Sequence, residues 1–64
     1  MSNREQRVLD ALMDYDADNG YRFPIKAIRE FFDHENSASI SEDYEALTAD
    51  EEKQVIKAFL EFAY

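Results

Sequence analysis

Apolar residues recur along this chain at spacings of three and four, and strand-like alternation is weak throughout. Val8, Leu9, Leu12, Met13 and Tyr15 or Asp16 share one side of a predicted helix over residues 3–16, leaving Arg7, Asp10 and Asp14 on the polar side. Ser2 or Asn3 can cap it, and Glu5 puts a carboxylate in the first turn, where the helix dipole favours negative charge. The helix should fade from Asp16 to Gly20, because Asn19-Gly20 is a turn signal and Gly20 is the single glycine. Pro24 then suits the first position of a second helix, where its missing N–H costs nothing. Ile25, Ile28, Phe31 and Phe32 form the predicted buried stripe of that helix, Lys26 and Arg29 its outer side, and Asp33-His34-Glu35-Asn36 its end.

Ser37 to Ser41 reads as a loop, with Ser41 able to cap a short helix from Glu42 to Leu47 that turns Tyr44 and Leu47 inward. The last helix is signalled by a capping box, Thr48 with Glu51 three residues on, followed by Val55, Ile56, Phe59, Leu60 and Phe62 or Ala63. The expected architecture is an all-α, single-domain bundle over residues 1–64, with three long helices and one short one.

Sixty-four residues bury only about 60% of the surface their unfolded chain exposes, so the margin of stability is small. An apolar fraction of 45% and nine aromatics still supply a core and argue against disorder. No apolar run approaches the ~20 residues of a membrane span, and the N-terminus lacks the apolar region of a signal peptide. Cysteine is absent. The expected location is cytoplasmic, in the host cytosol if the protein is phage-encoded.

Charge changes the picture most. Residues 30–52 hold nine carboxylates, Glu30, Asp33, Glu35, Glu42, Asp43, Glu45, Asp50, Glu51 and Glu52, and no Lys or Arg. The other 41 residues hold six acids and seven bases, so the net charge of −8 comes from this one segment. Such a field repels DNA and anionic membranes, whose binding relies on Lys and Arg. It attracts a basic protein surface, the kind found on proteins that bind nucleic acid. First-turn positions account for Glu42, Asp43, Asp50, Glu51 and Glu52 as helix stabilisers, but not for the missing bases. Glu30 with Asp33, and Glu42 with Glu45, stand three apart on a helix, about 5–6 Å from each other, a spacing close to that of phosphates along a strand. Tyr44 could add apolar contact.

Other chemistry is weakly signalled. Asp14, Asp16 and Asp18 before Gly20 suggest a calcium loop, but Gly20 falls at position 7 instead of 6, and Ile25 stands where the bidentate Glu belongs. No metal or cofactor is expected. His34 is the single histidine, and no nucleophile is held beside it by any motif, so no enzyme activity is expected.

The stretch from Arg4 through Val8, Leu9 and Leu12, then Asp18-Asn19-Gly20-Tyr21, then Ile25 to Ile28-Arg29-Glu30-Phe31, resembles the opening of the winged-helix domain of LexA-type repressors. The resemblance implies helix-turn-helix-like packing of the first two helices. Where that family places a recognition helix, this chain has Ser39-Ile-Ser-Glu42-Asp43-Tyr-Glu45, whose carboxylates oppose phosphate. In size, charge and lack of cysteine, the chain also resembles phage-encoded anti-CRISPR proteins of the DNA-mimic type. That resemblance implies an inhibitor whose partner is a basic nucleic-acid-binding protein such as a Cas subunit, with residues 30–52 replacing phosphates. The alternative is a helix-turn-helix-like adaptor domain that does not bind DNA and meets another protein, or a second copy of itself, through aromatic side chains such as Tyr15, Tyr21, Phe23 and Tyr64.

Overall fold

The computed structural model describes residues 1–20, 22–34 and 38–64. Tyr21, Glu35, Asn36 and Ser37, together with the side chains of His34, Ala38 and Ser39, lie outside that description. The chain is all-α, with α1 (Asn3–Asn19), α2 (Pro24–His34), α3 (Ala38–Glu45) and α4 (Ala49–Ala63), and no strand among the described residues.

Ser2 and Glu5 begin α1 reciprocally. The Glu5 N–H donates to Ser2 Oγ at 3.3 Å and the Ser2 N–H to Glu5 Oε1 at 2.9 Å. Two first-turn donors are thereby satisfied. The helix runs three residues past its predicted end, because Asn19-Gly20 closes it instead of turning away from it. Gly20 takes the left-handed conformation, φ 64° and ψ 34°, and its N–H reaches Asp16 O at 2.9 Å. Asn19 Nδ2 adds a bond to Tyr15 O at 2.9 Å.

Pro24 opens α2 as its position requires, and the Phe23 carbonyl accepts from the Ala27 N–H at 3.0 Å. The buried stripe is set by Ala27 and Phe31, four apart, with Ile28 partly buried beside them. Ile25, expected inside, is 82% exposed. It lies two residues from the buried Ala27, about 200° around the helix, and so points away from the core.

The stretch expected as a loop before Ser41 is already helical from Ala38, so α3 starts four residues early and Ser41 lies inside it instead of capping it. Its end is sealed by the Ala46 N–H to Glu42 O at 3.2 Å and the Leu47 N–H to Tyr44 O at 3.3 Å. Tyr44 and Leu47 pack on the core as predicted. The Thr48–Glu51 capping box forms, with bonds of 2.9 and 3.2 Å. Val55 and Phe59 are the buried residues of α4, while Ile56, Leu60 and Phe62 keep 37%, 39% and 72% of their surface exposed.

The core is Val8, Leu9 and Leu12 from α1, Ala27 and Phe31 from α2, and Val55 and Phe59 from α4. Each of the other helices packs on α1, α4 most extensively. Edge-to-face rings tie the first three helices together: Tyr15 to Phe31 at 5.8 Å, Phe31 to Phe32 at 4.9 Å, and Phe32 to Tyr44 at 5.0 Å. These are separations at which aromatic pairs attract.

Candidate partner-binding surface

Folding divides the acidic segment into carboxylates that are used and carboxylates that are offered. Asp43 is used. Arg7 donates to it from Nε at 2.8 Å and from Nη2 at 2.9 Å, and Arg4 Nε stands 3.9 Å away. The Arg7 hydrogen bonds, with the charges of Arg7 and Arg4, hold the Asp43 carboxyl below its usual range against the opposing effect of partial burial, and Asp43 in turn raises Arg7. Glu51 is used as well, its Oε1 taking the Thr48 N–H. Tyr44 is half-buried, with its ring against Phe32. Glu30 is half-buried on α2, and Asp33 sits 3.8 Å from Arg29 in an exposed pair one turn apart.

Glu42, Glu45, Asp50 and Glu52 are offered: they are exposed and have no ion pair among the described residues. Glu35 lies outside the described residues. The run without bases in sequence therefore acquires two arginines from α1 in space, and the predicted array is thinner than nine charges.

A second set compensates. Asp10, Asp14 and Asp18 are exposed on the outer side of α1, one turn apart, without an ion pair among the described residues. Positions four apart rise about 6 Å along a helix and turn about 40° past a full turn, so the three form a row of negative charge that winds about 80° around α1. Gln6 Nε2 donates to Asp10 Oδ1 at 2.8 Å and steadies one end. Counting charge over a linear window hides this row, because Arg4 and Arg7 precede it and cancel it on paper. The four-residue spacing of the aspartates is the signal that finds it.

Asp16 points elsewhere. Its Oδ1 accepts a 2.7 Å hydrogen bond from the Tyr64 hydroxyl, while the Tyr64 ring packs on Phe59 at 5.6 Å. Loss of water around the hydroxyl, and then the bond to Asp16, push the Tyr64 phenol up to about 12.

Beside the carboxylates the surface opens into an apolar cleft of about 130 Å³ between α1, the end of α2, α3 and α4. Its floor is the buried Val8, Leu12 and Val55. Phe32, Tyr44, Leu47 and Ile56 make its walls, and Glu52 stands exposed at its mouth. Past Glu52 the outer surface of α4 continues as a shallow apolar strip through Ala49, Ile56 and Leu60, bordered by Lys53 and Lys57.

No protein family, curated protein or solved structure matches the chain. The chemistry of the surface therefore carries the functional reading. Among the described residues no group of His, Asp and Glu is arranged to hold a metal ion, and no helix is long and apolar enough to cross a membrane. The three aspartates that suggested a calcium loop diverge in space: Asp14 and Asp18 face outward along α1, and Asp16 bonds Tyr64.

Proposed function

We propose that this protein is an acidic inhibitor that occupies the nucleic-acid-binding site of a basic partner, a mimic of DNA charge. The observation that carries the reading is the row of Asp10, Asp14 and Asp18, exposed and without ion pairs among the described residues, on a chain of net charge −8. Three carboxylates at one per helical turn follow each other on the scale of successive phosphates and can take charge-assisted hydrogen bonds from Lys and Arg. Glu42, Glu45, Asp50 and Glu52 extend the field that steers a basic surface towards the domain. The class it resembles in size and charge is the phage anti-CRISPR proteins, which makes a Cas surveillance complex the first target to test.

The test is capture of a nucleic-acid-binding protein from host lysate by the tagged chain, with elution by salt and by duplex DNA. Release by DNA at moderate salt, together with loss of capture in a protein carrying Asp10→Lys, Asp14→Lys and Asp18→Lys, supports mimicry. Undiminished capture by the charge-reversed protein overturns it.

A second reading, an adaptor or homodimer that meets its partner through apolar contacts, is favoured by Phe23, Ile25 and Phe62, exposed by 68%, 82% and 72%. Such an interface survives about 0.5 M salt, at which a charge-based one weakens.

A further inference from the structure

We infer that the cleft between α1, α3 and α4 receives the side chain of one arginine or lysine from the partner, with the aliphatic stem inside and the charged head on Glu52. The inference rests on the proposed reading of a basic partner and adds the place where that partner is anchored. Size is the first argument. A volume of about 130 Å³ holds one side chain and little more, comparable to the engineered apolar cavity of about 150 Å³ that takes up benzene in another protein.

Chemistry is the second argument. Phe32, Tyr44, Leu47 and Ile56 offer an apolar and aromatic wall, suited to the methylenes of a long cationic side chain. Glu52 at the mouth is exposed and has no ion pair among the described residues, so it is available to a guanidinium or ammonium arriving from outside. Lys53 and Lys57 border the strip on the other side of Glu52 and do not line the cleft. A neutral apolar anchor would fill the walls equally well. It would, however, strip water from Glu52 without giving it a partner, and an unpaired carboxylate at a covered site is unfavourable. Interface anchors are commonly arginines seated in pockets, which agrees with a single deep contact inside a wider field of surface charge.

The test is a titration followed by NMR, using N-acetyl-arginine methylamide and its uncharged counterpart of similar stem, N-acetyl-norleucine methylamide. The expected result is saturable shifts of the Tyr44 ring and the Ile56 and Leu47 methyls with the arginine compound and much weaker shifts with norleucine. Glu52→Gln should weaken arginine binding several-fold, whereas Glu61→Gln, exposed on α4 and not lining the cleft, should leave it unchanged, and the same spectra report that each variant is folded. Norleucine binding as tightly as arginine would overturn the inference in favour of an apolar anchor, and an absence of saturable shifts with either would remove the site. Because Asp10, Asp14 and Asp18 lie outside the cleft, failure of mimicry in the capture experiment and failure of the anchor in this one are read separately.

Discussion

Arg7 and Asp43, 36 residues apart in sequence, meet across α1 and α3 through two parallel hydrogen bonds of 2.8 and 2.9 Å. A forked contact of this kind fixes direction as well as distance, so it sets how α3 lies on α1. It also removes one carboxylate from the surface and spends the charge of one arginine.

The pair gives stability an acid-side dependence. The folded Asp43 carboxyl titrates below the unfolded value of about 3.9, so the pair's contribution is complete above that value and disappears as pH falls through the folded one. Arg7→Gln should therefore lower Tm by a few degrees at neutral pH, and the gap between variant and parent should close in acid. Melting curves of both proteins across the acid range check this; a gap that stays constant with pH would refute it.

Asp18 is expected to act in opposite senses on stability and on binding. It lies in the last turn of α1, which contains no base, beside the negative end of the helix dipole. Asp18→Lys should stabilise the domain by about 0.3–1 kcal/mol, seen as a rise in Tm of several degrees, while weakening capture of a basic partner. An aspartate kept only for solubility predicts the rise in Tm without the loss of capture.

The helices with explicit end signals were legible in the sequence: Pro24, and Thr48 with Glu51, start a helix where their chemistry says, and of the two cap candidates for α1, Ser2 and Asn3, it is Ser2 that caps, paired reciprocally with Glu5. The start of α3 was not. Serines compete for backbone hydrogen bonds and read as loop, yet between Ala38 and Tyr44 the helix is held by Ile40 and Tyr44 packing on the core. Ile25 was misplaced because its hydrophobicity outweighed Ala27 in the pattern, whereas the register of α2 is set by Phe31, which brings Ala27, four residues earlier, to the core and leaves Ile25 outside. The candidate surface was half legible. Glu42, Glu45, Asp50 and Glu52 are exposed as a charged segment implies, but no local rule places Arg7 against Asp43 or gathers the cleft from four helices.

Phe31 and Ile25 give a direct check of helix phase. Phe31 is fully buried between the rings of Tyr15 and Phe32, so Phe31→Ala should cost about 3–5 kcal/mol. A domain of this length has a total of roughly 3–10 kcal/mol, so the variant should be largely unfolded or nearly so by circular dichroism at room temperature. Ile25→Ser, on the same helix, should change stability by less than about 0.5 kcal/mol. Equal effects at the two positions would mean that α2 is rotated.

Tyr64 supplies a signal on the alkaline side. Its phenol is raised to about 12, above the unfolded value of about 10, so its contribution to stability is complete below that unfolded value and is lost as pH rises through about 12. The tyrosinate absorbance of the parent minus that of Tyr64→Phe should show one late-titrating phenol, and Asp16→Asn should move it earlier. A difference curve centred near the unfolded value would exclude the Tyr64–Asp16 bond.

Because α1 is the helix on which all the others rest, and α4 is its largest contact, the packing that matters most joins the two helices furthest apart along these 64 residues. Until α4 has been made, Val8 and Leu12 lack Val55 and Phe59, and the core is open on one side. Closing that long interval of chain is the step in which chain entropy opposes folding most. The domain should therefore fold in a single event that requires α4, and a fragment lacking residues 49–63 should be unfolded and readily cut by proteases.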